Sequence, residues 1–379
     1  MEQQWSGAHG RQAVRWVFLG SGVATACWAP MVPYAKTRLA LGDATLGLIL
    51  LALGGGGMVL MPLSGMLVRR WGSRPVMMLS GATLCITLPT LALAPSAMTL
   101  ALALFAFGAL IGMLDVSMNA QAVAVEARSP KPVMSSFHGF FSLGGLLGAG
   151  LMSALLWVDV PLWLCALMVG CGVTLLVLGQ WRRLLPSAAD KGRGDAHFAL
   201  PRGVVIILGI LCFIAFLAEG AILDWSAVFL RFSRDVSVSL AGLGFALFSL
   251  TMTVGRLSGD WLTSQLGPVR LLRWGALLAA AGYVLALATP WAALSLIGFM
   301  LVGLGLANLV PILFSAAGRL PDMAPSMAIA AVSTLGYAGL LAGPAGIGGV
   351  AELTSLATAL ALIAVALVIV ALSAAVVRR

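Results

Sequence analysis

Long apolar runs alternate with short polar punctuation along the whole chain, and the runs set its organisation. Cutting at clusters of charge, glycine and proline gives twelve segments, at 13–34, 44–68, 75–94, 98–125, 134–156, 160–181, 203–230, 238–262, 270–289, 291–317, 326–350 and 354–376. Each is close to the ~20 apolar residues that carry a helix through hydrocarbon. The narrowest division lies between the fifth and sixth segments, where only Trp157-Val158-Asp159-Val160-Pro161 intervenes. At the start, Arg11 and Arg15 precede an apolar stretch, and Ala24-Thr25-Ala26-Cys27 has the small residues of a processing site. Apolar spans continue to the end of the chain, so this stretch is read as a retained first helix.

Composition reinforces the pattern. Of 379 residues, 61% are hydrophobic and 9% charged, against roughly 25% charged in soluble domains. No water-soluble fold hides that much apolar surface, so the predicted class is an all-α integral membrane protein with twelve transmembrane helices. Charge then orients it, because cytoplasmic loops carry the excess of Lys and Arg. With both termini cytoplasmic, the inner set is Arg11, Arg15, Arg69, Arg70, Arg74, Arg128, Lys131, Arg182, Arg183, Lys191, Arg193, Arg202, Arg270, Arg273, Arg319, Arg378 and Arg379, which is 17 of the 22 basic residues. Lys36, Arg38, Arg231 and Arg234 remain outside, and Arg256 lies near the inner end of the eighth segment. The expected location is the inner (plasma) membrane, multi-pass, with the lipid bilayer as partner.

The net charge of +9 does not point to nucleic acid. The basic residues are scattered through short loops without interleaved aromatics. Cys27, Cys85, Cys165, Cys171 and Cys212 all fall inside apolar segments without disulfide or metal-site spacing, and read as small core residues. No cofactor and no metal is predicted.

The longest polar stretch, Trp181 to Arg202, contains Asp190-Lys191-Gly192-Arg193-Gly194-Asp195 and divides the segments six and six. The expected organisation is an N-terminal six-helix bundle over 1–181, a cytoplasmic linker over 182–202 and a C-terminal six-helix bundle over 203–379. The halves echo each other. Ser64-Gly65 ends the second segment and Ser258-Gly259 the eighth, while Arg128 follows the fourth and Arg319 the tenth, at separations of 194 and 191 residues.

Six plus six spans, a basic central loop and the segment Gly65-Met66-Leu67-Val68-Arg69-Arg70-Trp71-Gly72-Ser73-Arg74 resemble the major facilitator superfamily, whose inner loop after the second span reads G-x-L-x-D-R-x-G-R-R. Arg69 stands where that motif has Asp, a departure that bears on the charge relay holding the inward gate. Arg69, Arg70 and Arg74 are the gate residues the resemblance marks. Within the superfamily, Leu114-Asp115-Val116-Ser117-Met118-Asn119 is similar to the fucose permease group of sugar/proton symporters, where an acidic residue is followed four positions later by Asn. Ser136-Phe137-His138-Gly139-Phe140-Phe141-Ser142-Leu143-Gly144 resembles the fifth helix of that group, with His characteristic of an uncharacterised bacterial branch. The resemblance implies a mid-membrane cavity between two bundles, alternately open to either side, a coupled proton carried at Asp115, and a chain that works as a monomer.

The residues alone also single out polar positions. A charge at a helix centre costs about 2.5–3.5 kcal/mol on insertion scales, so one kept there faces protein or water. Asp115 with Asn119, and Glu219 with Asp224, are the clearest cases; Thr25, Trp28 and Asn308 add polar or aromatic groups. The third, sixth, ninth and twelfth segments contain no mid-span charge, so the first, fourth, seventh and tenth are expected to line the path. Asp115 and Asn119 share one helical face and are able to share one ligand. Burial disfavours a charged carboxylate and a polar ligand restores it, which is the property proton coupling needs, although a buried Asp held by neighbouring helices is the bland alternative. Glu219 is the deeper of its pair and a candidate for coupling or substrate. Asp224, beside Trp225, is either a substrate contact or an outer gate partner of Arg231 or Arg234. His138 is a candidate to pair with Asp115 in one conformation, or a simple interhelical donor. Arg256 and Asp260, one turn apart, are expected to pair within their helix or to latch a loop of the other bundle, a gate role. Trp28 and Trp225 are placed to stack on a sugar ring or to anchor at the interface.

Gly54-Gly55-Gly56-Gly57 and the glycines from Gly144 to Gly150 read as packing surfaces. Gly343-Pro344 resembles the Gly-Pro motif of drug exporters, but on the eleventh segment instead of the fifth. The leading function is proton-coupled transport of a small polar, sugar-like solute. Proton-driven efflux of an amphiphilic or drug-like compound is the alternative, and a transport-dead sensor a further one. No nucleophile with a base, metal-ligand cluster or soluble domain points to an enzyme.

Overall fold

The computed structural model describes residues 7–41, 43–186, 202–236 and 243–378, and within them the chain is helices joined by turns, without a strand. The order is α1 (Gly7–Ala26), a 3-10 turn (Ala29–Met31), α2 (Val32–Arg38), α3 (Asp43–Trp71), α4 (Ser73–Leu93), α5 (Ala97–Glu126), α6 (Met134–Trp157), α7 (Leu162–Leu178) and α8 (Val204–Ser233). There follow α9 (Leu243–Leu266), α10 (Pro268–Ala288), α11 (Ala292–Leu306), α12 (Leu309–Ala317), α13 (Pro325–Leu353), α14 (Leu356–Leu372) and a 3-10 turn (Ser373–Arg378). Every predicted apolar segment overlaps a helix. Among the described residues nine stretches are long and apolar enough to cross a membrane, and Leu162–Leu178 is a shorter apolar helix. Most of the expected linker, residues 187–201, lies outside the described residues.

Two segments differ from the continuous helices expected of them. The first stops at Ala26, because Pro30 and Pro33 follow and each sits in the first turn of a new short helix, where its missing N–H is harmless. The tenth breaks between α11 and α12 at Asn308, whose φ is −108° and ψ 0°. Pro311 is the cause: it has no N–H for the carbonyl four residues back, that of Ala307, and its ring crowds that carbonyl. Cys171 is exposed and so is not a core residue, Cys85 is half-buried, and Cys27, Cys165 and Cys212 are buried as free thiols.

Contacts divide the chain into two compact units. One comprises Met1–Val133, Phe140–Leu200 and Pro321–Thr334; the other comprises Met134–Gly139, Pro201–Leu320 and Leu335–Arg379. Helices α6 and α13 thus give their opening turns to one unit and their remainder to the other. Each opening turn meets one of the two repeated Ser-Gly pairs. In the first unit the space above Gly65 is filled by Ala330 and the Ser326 carbonyl of α13; in the second, that above Gly259 is filled by Ser135 of α6 and by Asn308. Ser64 and Ser258 each donate to the carbonyl four residues back, Leu60 and Val254, at 2.6 and 3.0 Å.

The first unit is packed through glycine. Gly56 of α3 lies against the Phe105 carbonyl of α5, and Gly108 of α5 against the Leu53 carbonyl of α3. Gly22 of α1 meets Phe141 of α6, while Gly144 and Gly148 of α6 meet Leu19 and Val23 of α1. These are backbone-to-backbone approaches that no Cβ permits. Gly55, next door, faces open space. The matched pair Gly108→Ala and Gly55→Ala therefore separates packing from propensity. In detergent, Gly108→Ala is expected to lower the unfolding temperature, with overpacking of roughly 1–3 kcal/mol. Gly55→Ala is expected to leave it unchanged or raise it, since Gly inside a helix costs about 0.5–1 kcal/mol relative to Ala.

Candidate functional site

In the first unit the candidate residues gather on α5. Asn119 Nδ2 donates to the Asp115 carbonyl at 2.9 Å and to its Oδ1 at 3.2 Å, so one turn of helix locks the two side chains together. The second carboxylate oxygen faces Ser333 Oγ of α13, 3.5 Å away. Asp115 is 8% exposed, and Asn119 and Ser333 are fully buried. Among the described residues Asn119 Oδ1 has no hydrogen-bond partner, nor has the indole Nε1 of Trp28, which is buried in the turn after α1. Thr25 is held locally, its hydroxyl donating to the Ser21 carbonyl at 2.9 Å. Ser73 and Gln121 are hydrogen-bonded partners, joining α4 to α5. Of the arginines marked for the gate, Arg70 is exposed, Arg69 is half-buried, and the Arg74 guanidinium lies over the Trp181 ring at 4.0 Å from its centroid.

The second unit gathers its candidates around Arg256 of α9. Its Nη2 is 3.4 Å from Glu219 Oε2 of α8, the Arg side chain 7% and the Glu side chain 28% exposed. Its Nε donates at 3.4 Å to the carbonyl of Ala307, the acceptor that Pro311 leaves without its helical donor. The guanidinium thus ties α8 to the break between α11 and α12. Beside it, Asn308 Nδ2 donates to the Gly255 carbonyl at 3.1 Å, while its Oδ1 has no partner among the described residues. His138 of α6 is buried in the same unit, its ring tilted at 57° to that of Phe314 with centroids 5.8 Å apart, within electrostatic reach of Arg256.

Asp260 takes a different role from its neighbour one turn away. Its Oδ2 accepts from the backbone N–H of Ser136 at 3.1 Å. That N–H belongs to the first turn of α6, whose N-cap residue, Val133, offers no side-chain acceptor. A carboxylate there satisfies an otherwise open donor and complements the helix dipole. Asp260 is thus bonded to the fifth predicted span, while Arg256 reaches Glu219. Asp224 is exposed, and Trp225 half-buried with its Nε1 unpartnered among the described residues. Arg234 binds Ser295 Oγ and the carbonyls of Ala286 and Leu287, and Arg231 the carbonyl of Val236. The structure therefore brings together Asp115 with Asn119, and Glu219 with Arg256, sets Arg74 over Trp181, and leaves Thr25, Asp224 and Arg70 apart from both sets.

A sequence model for the Major Facilitator Superfamily matches residues 16–235. An uncharacterised MFS-type transporter of Yersinia pestis is 47% identical, over 97% of this chain and 95% of its own length. The chain belongs to the major facilitator superfamily. It is a multi-pass membrane transporter, not an enzyme. Its fold is similar to that of the human organic anion transporter MFSD10 (TETRAN), with a TM-score of 0.77 at 19% identity over 98% of this chain and 100% of the other. It is equally similar to the Escherichia coli fucose:proton symporter FucP, with a TM-score of 0.77 at 14% identity over 96% and 97% of the two chains. The resemblance to the superfamily, and in fold to the fucose permease group, holds.

Ser333 and the Ala307 carbonyl were not anticipated as members of either set. A serine inside the eleventh apolar segment is a weak signal for Ser333; Pro311 four residues after Ala307 is a stronger one. The fork of Arg256 is testable in this major facilitator chain, because Lys carries a single ammonium that cannot reach Glu219 and the Ala307 carbonyl in the same way. Arg256→Lys is expected to lower the unfolding temperature nearly as much as Arg256→Met, by about 1–3 kcal/mol for a group left unsatisfied. Wild-type stability in the Lys variant would show that the fork does not hold the break.

Proposed function

We propose that this chain is a secondary transporter of twelve helices in two six-helix bundles, in the inner membrane with both termini cytoplasmic, working as a monomer. It moves a small polar, sugar-like solute by alternating access, coupled to protons. The observation that carries this reading is the carboxylate of Asp115, buried on the same helical turn as Asn119 and facing Ser333, with Asn119 Oδ1 open to a further donor. A carboxylate kept from water changes its proton readily when a polar group approaches or leaves. Asn119 beside it is an amide, able to accept from a hydroxyl while Asp115 holds its other side. Proton symporters of fucose and xylose are among the proteins of similar fold, and the acidic residue followed four positions later by Asn resembles the pattern of the fucose permease group.

The pair Glu219 and Arg256 favours a second reading of the solute. A carboxylate-bearing solute would compete with Glu219 for the guanidinium. Purified protein tested for a shift in unfolding temperature against monosaccharides, polyols, small carboxylates and lipophilic cations, at two pH values, separates these readings. A ligand at 100 times its Kd stabilises by about 2.7 kcal/mol. A pH-dependent shift with a sugar or polyol supports the leading reading, a shift with carboxylates alone the second, and a shift with lipophilic cations alone overturns both in favour of efflux.

Coupling is checked in proteoliposomes. One pH unit is worth about 1.4 kcal/mol, about a tenfold accumulation per coupled proton. Asp115→Asn keeps the shape and loses the titrating group, so it is expected to equilibrate solute without accumulating it under an imposed pH gradient. Accumulation equal to wild type would remove Asp115 from the coupling role.

A further inference from the structure

A cavity of about 500 Å³ in the second unit opens at the start of α10, and neither set of candidate site residues is among its lining. Four arginines line it: Arg270 and Arg273 from the first two turns of α10, Arg319 from the turn after α12, and Arg378 from the final 3-10 turn. Among the described residues, no acidic side chain lines it. Four exposed like charges around one cavity give it a positive potential that attracts an anion. The cavity also receives the N-terminus of α10. Its N-cap is Gly267, at φ 75°, which has no side chain to cap the first turn, and Pro268 follows at the first helical position. The open N–H groups of that turn and the positive end of the helix dipole thus point the same way as the arginines. Arg273 is fixed in place, its Nε donating to the Ala371 carbonyl at 3.3 Å.

We propose that this cavity is a binding site for a phosphate-bearing anion. Guanidinium forks match phosphate oxygens two at a time, and a helix N-terminus supplies further donors of the right polarity. The flanking surface indicates where the anion sits. Trp261 and Trp274, five residues before Leu266 and directly after Arg273, are 64% and 62% exposed. Exposed tryptophans belong at the boundary between hydrocarbon and headgroups. The four arginines all belong to the inner set by the charge asymmetry of the loops, so the cavity faces the leaflet rich in anionic lipid and the cytoplasm rich in phosphorylated solutes. The same chemistry serves a lipid phosphate or a free one.

The experiment uses full-length protein in nanodiscs of neutral lipid, with two additions made separately: phosphatidylglycerol in the bilayer, and inorganic pyrophosphate in solution. Wild-type protein is expected to gain unfolding temperature with one of them. A gain with phosphatidylglycerol assigns the site to a lipid headgroup, and a gain with pyrophosphate to a soluble phosphate. In Arg270→Gln/Arg319→Gln the half-maximal concentration is expected to rise by at least about tenfold, as the loss of charge-assisted bonds requires. Arg182→Gln/Arg183→Gln removes the same charge elsewhere on the inner set and is expected to leave it unchanged. No gain with either anion, or an equal weakening in both double variants, overturns the proposal. Because the substituted arginines are exposed, the variants are expected to fold, which their unfolding temperature without added anion verifies.

Discussion

A hydrocarbon layer offers no hydrogen bonds, and a chain that lives in it must satisfy its own polar groups or carry the penalty of several kcal/mol for each one left over. Helices meet that requirement for the backbone, and side chains meet it where helices cannot. Thr174 donates to the Gly81 carbonyl of a neighbouring helix at 2.8 Å, and Tyr283 to that of Ala218 at 2.7 Å. The same requirement explains Arg256. A proline inside the tenth apolar segment frees the Ala307 carbonyl; a guanidinium is long enough to reach it from α9 and still meet Glu219. A charged pair is therefore placed where a helix is broken, and the break is sustained by the pair. Removal of either part leaves the other exposed to the penalty.

Close approach of backbones is the second consequence. Lipid tails are as apolar as leucine, so helices gain little by hiding apolar side chains from them and gain instead by fitting together. Gly56, Gly108, Gly22, Gly144 and Gly148 lie where another helix's backbone fills the space above Cα. Gly65 and Gly259 make room mainly for side chains, those of Ala330 in the opening turns of α13 and of Ser135 in the opening turn of α6, the two helices that pass from one unit to the other. At the opening turn of α13 the contact is one of packing, whereas that of α6 is joined as well by the Asp260 carboxylate.

Apolar helices and the turns between them were legible in the sequence because they follow from hydropathy and from residues near each other in the chain. Asp115 with Asn119 was legible for the same reason, since four residues make one helical turn. Pro30, Pro33 and Pro311 were in plain view, yet the apolar runs around them masked the breaks they impose: hydropathy records whether a stretch suits hydrocarbon, not whether its backbone can stay helical. Ser333 opposite Asp115, Glu219 opposite Arg256 and Ser136 beside Asp260 were beyond reach. Their partners are separated by 218, 37 and 124 residues, and no periodicity within one helix encodes which face of another it meets. The Ser-Gly echo, by contrast, marks two glycines that each meet the opening turn of another helix.

That correspondence makes its own exception informative. After Gly259 comes Asp260, whose carboxylate accepts from the first turn of α6; after Gly65 comes Met66, and the superfamily's acidic position is Arg69. A carboxylate at a helix N-terminus contributes about 0.3–1 kcal/mol when exposed and up to ~2 kcal/mol when partly buried. The opening turn of α6 receives that contribution from Asp260, whereas the opening turn of α13 meets Gly65 through Ala330, Ser326 and Met327. An ionic hold responds to protonation and to neighbouring charge, and a packing hold does not. In this chain the duplicated contact has therefore become two different devices, one electrostatic and one steric, and the electrostatic one lies one helical turn from the charged pair formed by Glu219 and Arg256. Both contacts are carried on one turn of α9, so the helix that holds the charged pair also holds the start of α6.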